Sequence, residues 1–349
     1  MNEFADQLTN WYADHQRDLP WRNTQDPYRI WLSEMILQQT RVAQGLPYYT
    51  RFVEALPTVQ AFAAASQEQV LRLWQGLGYY SRARYMHATA RVIVDDYAGN
   101  FPDNFQTLKT LKGIGDYTAA AIASFAFGER VAVVDGNVYR VLARVFGKSE
   151  DISAHQGKKV FAQLAQELIQ HAESPSTYNQ AIMEFGATHC TPKQPQCGTC
   201  PFRGTCVAFA GGLQAQLPHK TKKTKVKDRY FHYLVFWHEG KYAMRLRQGG
   251  DIWEGLYDFF LYEAQQWSRP EQIEVPVDGR WRDPSPIFKH LLTHQRLQAR
   301  FWIIEVEQAQ AQVLAQTHGL RFFDLAGVEA LPKPVLIKKY LDNLKISLF

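Results

Sequence analysis

The stretch Leu111-Lys112-Gly113-Ile114-Gly115-Asp116-Tyr117-Thr118-Ala119 lies between two segments with helical spacing of apolar residues, and its reading decides the N-terminal fold. Gly113 and Gly115 permit a tight backbone turn and a close approach to a ligand. The N–H groups that open the following helix form an anion site. The pattern alone reads equally as a plain helix–helix turn or as a hairpin that grips a phosphate without reading a base. Asp116 opposes a phosphate there unless its carboxylate caps the helix.

Outward from this turn, residues 1–206 read as mostly helical. Trp31–Val42, Val70–Trp74, Ala83–Val94, Thr118–Phe127, Gly136–Phe146 and Lys158–His171 show helical spacing, separated by short Gly- and Pro-containing breaks. Beyond residue 229 the period changes from 3.6 to 2, with alternation over Lys241–Arg247 and Leu297–Ile303 and aromatic, strand-like runs at Tyr230–Trp237 and Tyr257–Tyr262. Pro334–Leu344 reads as a closing helix with Pro in its first turn. The expected organisation is a helical domain over 1–212, a basic linker over 213–229 and a smaller α+β domain over 230–349.

The chain has 349 residues, 39 Lys+Arg and 34 Asp+Glu, a net charge of +5. The whole surplus falls in 213–229, where Lys220, Lys222, Lys223, Lys225, Lys227 and Arg229 face one acid, Asp228. Net charge therefore argues for nucleic-acid binding by neither domain, and the linker reads as a solvated charge run. The longest nearly apolar run, Ala119–Phe127, is far short of a membrane span. The N-terminus has neither a basic nor an apolar signal region, so no secretory signal is expected.

Three features carry chemistry. Cys190, Cys197, Cys200 and Cys206 cluster within one loop with three prolines among them. Four thiolates at such spacing suit a 4Fe-4S cluster or a tetrahedral zinc; with only one C-x2-C pair, iron–sulfur is favoured. Lys193 and Arg203 in the same loop read equally as solvated charges or as contacts to a phosphate backbone. Glu34 lies mid-helix between Leu32 and Met35-Ile36-Leu37. It reads either as a partly exposed helical Glu or as a carboxyl whose pKa an apolar pocket raises, a usable general acid. Asp135 ends the apolar run Val133-Val134 just before a helix. It reads either as a capping residue or as a carboxylate held ionised by the helix dipole, ready to stabilise a cation. One proton-holding acid plus one ionised carboxylate is the pair that glycosidic cleavage needs. A backbone phosphate grip beside them places that bond in a nucleic acid, with the target nucleotide flipped from the stack. Gln38-Gln39-Thr40 and Gly78-Tyr79-Tyr80 offer side chains to fill the hole left behind.

These residues resemble the helix-hairpin-helix DNA glycosylase superfamily over roughly 5–210: the Ser33–Thr40 helix, Gly76-Leu77-Gly78-Tyr79-Tyr80, the Leu111–Ala119 hairpin, Val134-Asp135-Gly136-Asn137 and the cysteine spacing occur in order. Within it the chain resembles the MutY family of adenine DNA glycosylases, which remove adenine mispaired with 8-oxoguanine or guanine. The resemblance implies that Glu34 protonates adenine N7 and that Asp135 stabilises the oxocarbenium ion, as an ion pair or by transient attachment. It further implies that Tyr117 and Asn137 line the site, that Arg22 lies near the flipped base, and that Gln39, Thr40 and Tyr79 contact the duplex beside it, with Gly113 and Gly115 gripping the backbone. Endonuclease III-like relatives carry a lysine where this chain has Tyr117. A phenol forms no Schiff base, so a monofunctional glycosylase is expected.

Residues 230–349 resemble the Nudix-like domain that MutY proteins use to recognise 8-oxoguanine. The pyrophosphatase signature G-x5-E-x7-R-E-x2-E-E is absent, which opposes a Nudix hydrolase. Leu292-Thr293-His294 aligns with the family's Phe-Ser-His loop, so the hydroxyl and the imidazole persist and the aromatic ring does not. The fold class so implied is an all-α helix-hairpin-helix glycosylase domain with an iron–sulfur loop, joined to a Nudix-like α+β domain. The implied partner is double-stranded DNA bearing A:8-oxoguanine or A:G mispairs, bound by a cytoplasmic, nucleoid-associated bacterial monomer. Rival readings are an endonuclease III-like pyrimidine glycosylase with lyase activity, opposed by Tyr117 and the C-terminal domain, and a non-catalytic DNA-binding redox sensor, which needs neither carboxylate.

Overall fold

The structure is a computed structural model and describes residues 2–221 and 226–346. Its contacts divide the chain into two units: one groups the residues up to Ala64 with those from Ala88 to the basic segment, the other groups Ala65–His87 with the C-terminal residues. The sequence assigns all of 1–212 to one domain. Ala65–His87 instead clusters with the C-terminal residues because Gly255, with φ +81°, leaves room there for Leu71, Gln67 and Arg84. The Arg84 guanidinium also donates to the Glu254 carbonyl at 2.6 Å and pairs with its carboxylate at 2.8 Å.

In the first unit, local signals set the helix ends. Asp26 accepts from the Tyr28 N–H at 2.9 Å and Pro27 opens the helix Pro27–Leu37. Sequence spacing carries this helix on to Val42, but it stops at Leu37. Gln39 adopts φ +57° and a new helix, Val42–Ala55, begins. No Gly or Pro marks that stop. Asp116–Phe127, with five alanines among its 12 residues, packs against Pro27–Leu37 and ends at left-handed Gly128. Gly136–Phe146 starts at Asp135 and ends at left-handed Gly147. Pro175–Glu184, capped by Ser174, runs into a π turn over Phe185–His189. The core joins Leu8, Val141, Leu142, Phe161, Leu168, Ile182 and Phe185, each fully or almost fully buried. Each such side chain contributes roughly 1.5–3 kcal/mol of burial free energy.

The expected linker is folded at both described ends. Leu217 is buried in the helical core, and the Arg144 guanidinium donates to the Gln214 and Leu217 carbonyls. At the other end a strand begins at Lys227, and Arg229 is buried. Lys222, Lys223 and Lys225 lie outside the described residues.

The second unit holds β1 (Lys227–His238), β2 (Lys241–Leu246), β3 (Tyr257–Asp258), β4 (Phe260–Ala264), β5 (Arg280–Trp281), β6 (Phe288–Leu291), β7 (Gln295–Glu305) and β8 (Arg321–Phe323). Its sheet is mixed. β1 runs parallel to β7, with Tyr233 opposite Phe301, while β2 and β4 pair with β1, and β5 and β6 with β7, antiparallel. The single run expected over Tyr257–Tyr262 is broken at buried Phe259, where the chain passes from pairing with β2 to pairing with β1. β1 is buried on both faces, so it reads as a continuous apolar run rather than an alternation. Tyr340 of the helix Val335–Ile346 stacks on Phe301 at 3.9 Å, and the helix Gln308–His318 sends Ala311 and Leu314 into a cluster with Leu234, Trp302 and Ile304. No helix among the described residues is long and apolar enough to cross a membrane.

Candidate active site

A cavity of about 180 Å³ in the helical unit is lined by Arg22, Glu34, Thr40, Tyr117, Asp135 and Asn137, together with Arg17, Gln180 and Glu184. Sequence positions more than a hundred residues apart thus meet at one opening. Glu34, with only 6% of its surface exposed, accepts a hydrogen bond from the Tyr117 hydroxyl at 2.6 Å. Burial lifts the Glu34 carboxyl to about 7; the Tyr117 hydrogen bond opposes the rise and the nearby Asp135 charge adds to it. Burial also holds Tyr117 well above the usual phenol range, so it stays a donor.

Asp135 is both a cap and a cavity residue. Its Oδ1 accepts from the Asn137 and Val138 N–H groups at 2.8 Å each, and its Oδ2 from the Asn137 side-chain amide at 2.8 Å. Burial pushes its pKa up, against the pull of these donors and of Arg140. The helix N-terminus therefore offsets burial rather than overriding it. The Asn137 Oδ1 in turn accepts from Arg140 at 2.8 Å, and Arg140 also donates to the Gly186 carbonyl at 2.5 Å and the Cys190 carbonyl at 2.7 Å. Gly186 must be glycine for this fit: a Cβ there would lie 2.7 Å from the Asn137 Cβ. A short chain of hydrogen bonds thus joins the cysteine loop to Asp135.

Gly113 and Gly115 stand apart from the cavity. Gly113, at φ +82°, forms the exposed turn and Gly115 opens the Asp116–Phe127 helix, while buried Ile114 anchors the tip. Asp116 does not face inward but pairs with Lys109 at 2.6 Å. Gln39 is exposed and does not line the cavity. Like Tyr79, at φ +48°, it occupies the left-handed backbone region that such residues rarely adopt.

Tyr79, Leu292, Thr293 and His294 meet in the second unit. They line a pocket of about 440 Å³ with Trp253, His290 and Leu291, and the Tyr79 hydroxyl is in hydrogen-bond contact with Thr293 Oγ1.

The four cysteines are unpaired and line one small pocket against the helix Gly136–Phe146. Arg144 approaches Cys190 Sγ at 3.4 Å and donates to the Thr191 and Pro192 carbonyls, tying down the loop. Burial pushes the Cys200 thiol to about 11 and raises Cys190 as well, so these two need an added positive charge to become thiolates near neutral pH. Among the described residues no three His, Cys, Asp or Glu side chains converge on a single-ion site.

Sequence reasoning passed over Glu184, Arg17, Arg140 and Arg144. Glu184 has a side chain 1% exposed and binds Arg17 and Arg22, each as close as 2.5 Å. These partners hold its pKa below the ordinary range against burial. Its signal was a carboxyl between Ile182-Met183 and Phe185, the same kind that marked Glu34.

The HhH-GPD superfamily base excision DNA repair protein family matches residues 32–171, and the NUDIX domain family matches residues 232–343. An adenine DNA glycosylase of Buchnera aphidicola subsp. Schizaphis graminum is 30% identical over 349 residues, 98% of this chain and 99% of that protein. The human adenine DNA glycosylase is 45% identical over 223 residues, 61% of this chain and 41% of its own length. This chain spans less than half the length of the mammalian relatives it matches. Among solved structures, a thermostable thymine-DNA glycosylase superposes with a TM-score of 0.55 at 28% identity, covering 60% of this chain and 97% of that one.

Proposed function

This chain belongs to the MutY family of adenine DNA glycosylases, and on that premise we propose that it hydrolyses the N-glycosidic bond of adenine opposite 8-oxoguanine or guanine in duplex DNA. The observation that carries the reading is the pair in one cavity: Glu34, a carboxyl at about 7, beside Asp135, a carboxylate gripped by three N–H donors. Glu34 gives its proton to adenine N7, which turns the base into a neutral leaving group. Asp135 stabilises the positive charge that develops on the sugar, and water completes the hydrolysis. Tyr117 holds the Glu34 carboxyl in place and Asn137 does the same for Asp135. Glu184 and Arg22 form a polar wall for the flipped base. Left-handed Gln39 and Tyr79 are exposed side chains suited to wedge between bases.

The base opposite the adenine is read in the second unit by Thr293, His294 and Tyr79. With Leu292 where the family has an aromatic ring, hydrogen bonding rather than stacking dominates that contact. Among the described residues no lysine lines the cavity with Glu34 and Asp135, which supports a glycosylase without strong lyase activity. The test is an end-labelled duplex with one adenine opposite 8-oxoguanine, its products resolved with and without alkali. Cutting at the adenine only after alkali is the expected result. Cutting without alkali would assign a lysine nucleophile, and no cutting with DNA binding intact would favour the sensor reading.

The four cysteines are the ligands proposed for a 4Fe-4S cluster, whose role is to fix the loop that Arg140 and Arg144 bind. Cys200→Ser should lose iron and sulfide together and lower the melting temperature of the helical unit. Metal analysis that finds one zinc and no sulfide would refute the assignment.

A further inference from the structure

We infer that Arg229 is a positioning residue for the pocket around Thr293, an inference that rests on the 8-oxoguanine recognition proposed above. By charge alone Arg229 belongs to the basic linker, yet only 9% of its surface is exposed. Its guanidinium offers five N–H donors in one plane, and all five are engaged. Nε and one terminal nitrogen bind Glu263 at 2.7 and 2.5 Å. Both terminal nitrogens bind Asp251, at 2.8 and 2.7 Å, and one of them also binds the Gln295 side-chain carbonyl at 2.9 Å.

Two of these partners line the pocket on different segments of the chain. Gln295 closes the turn that carries Leu292, Thr293 and His294, since its carbonyl accepts from the Leu292 N–H at 2.8 Å. Asp251 begins the Asp251–Trp253 wall, where Trp253 takes φ +65° and its ring lies 5.8 Å from that of His290. A second arginine braces that wall from behind: Arg247 donates to Asp251 at 3.0 Å, to the Ile252 carbonyl at 3.0 Å and to buried Asp258 at 2.6 Å. One side chain outside the pocket therefore ties together two segments that line it. A lysine cannot reproduce this, because its three donors radiate from a single nitrogen.

The full chain is tested on two duplexes that differ only in 8-oxoguanine or guanine opposite the adenine. Single-turnover excision at subsaturating enzyme gives the preference between them. Arg229→Gln should shrink that preference about tenfold, as should Thr293→Ala, and the double variant should lose no more than either alone. Arg229→Lys should lose most of the same preference, and it decides the matter if the glutamine variant does not fold. Unchanged preference in the lysine variant, or equal slowing on both duplexes, would reduce Arg229 to a purely structural role. A wild-type chain with no preference would overturn the recognition reading, and this inference with it. A wild-type preference that survives both Arg229 variants would overturn this inference alone.

Discussion

Glu34→Gln is expected to slow adenine excision by about a thousandfold or more while making the helical unit more stable at pH 8. The rate loss follows from removing the proton donor, since a positioned general acid contributes typically 10²–10⁴-fold. The gain in stability follows from the same burial that fits Glu34 for catalysis. Its carboxyl sits at about 7 in the folded protein against an ordinary 4.5. The folded state thus holds the proton more tightly than the unfolded state. That preference is fully present below about pH 4.5 and is lost as pH rises through 7, where the folded protein must ionise a buried group. At pH 8 the penalty is on the order of 3 kcal/mol, and a neutral glutamine avoids it while still accepting from Tyr117. In the wild type, excision should fall about tenfold per pH unit above 7, because only the protonated acid acts. Single-turnover rates and thermal melts of both proteins from pH 5 to 9 check both effects. A glutamine variant that keeps its rate, or a wild-type profile flat through pH 7, would remove Glu34 as the acid.

How much of this was legible before the structure depends on whether the deciding contact is local. Pro334 announces the closing helix, and the change of period near residue 230 announces the sheet, because each signal lies within a few residues of its effect. Glu34 stood out because its apolar neighbours imply burial. Glu184 carries the same signal, but its meaning comes from Arg17 and Arg22, far away in sequence. Arg229 is a related case. A charge count within 213–229 cannot include Asp251, Glu263 and Gln295, which neutralise and bury it. The stop at Leu37 and the grouping of Ala65–His87 with the C-terminal residues are likewise absent from local residue types. Glu34, Tyr117, Asp135 and Asn137, which line one cavity, were singled out as a set because two carboxyl groups of opposite protonation suit one chemistry. The arginines that hold them were not, because an arginine shows its role only through the acceptors it finds.

Asp135→Asn should remove nearly as much activity as the Glu34 change, for an electrostatic reason, and with little loss of fold. Asparagine is as good a helix cap as aspartate, so its side-chain oxygen can keep the Asn137 and Val138 N–H bonds and the helix Gly136–Phe146 stays anchored. What disappears is a full negative charge beside the developing oxocarbenium ion. At about 4 Å and an effective dielectric near 20, that charge is worth roughly 4 kcal/mol, or about a thousandfold in rate. A second consequence follows from the donors. The new amide nitrogen would face the Asn137 Nδ2 where a carboxylate oxygen now accepts from it. Two donors cannot pair, so the Asn137 amide must turn, and Arg140 then loses its 2.8 Å acceptor while keeping the Gly186 and Cys190 carbonyls. The variant should therefore bind mismatched duplex with near-normal affinity, melt within a few degrees of wild type, retain the iron of the proposed cluster and cleave at least a hundredfold more slowly. Affinity, melting and single-turnover excision measured on one preparation separate these effects. If excision stays within tenfold of wild type, the cation is stabilised by something other than Asp135. If the slow variant also loses iron, Arg140 matters more for holding the cysteine loop than its three hydrogen bonds suggest.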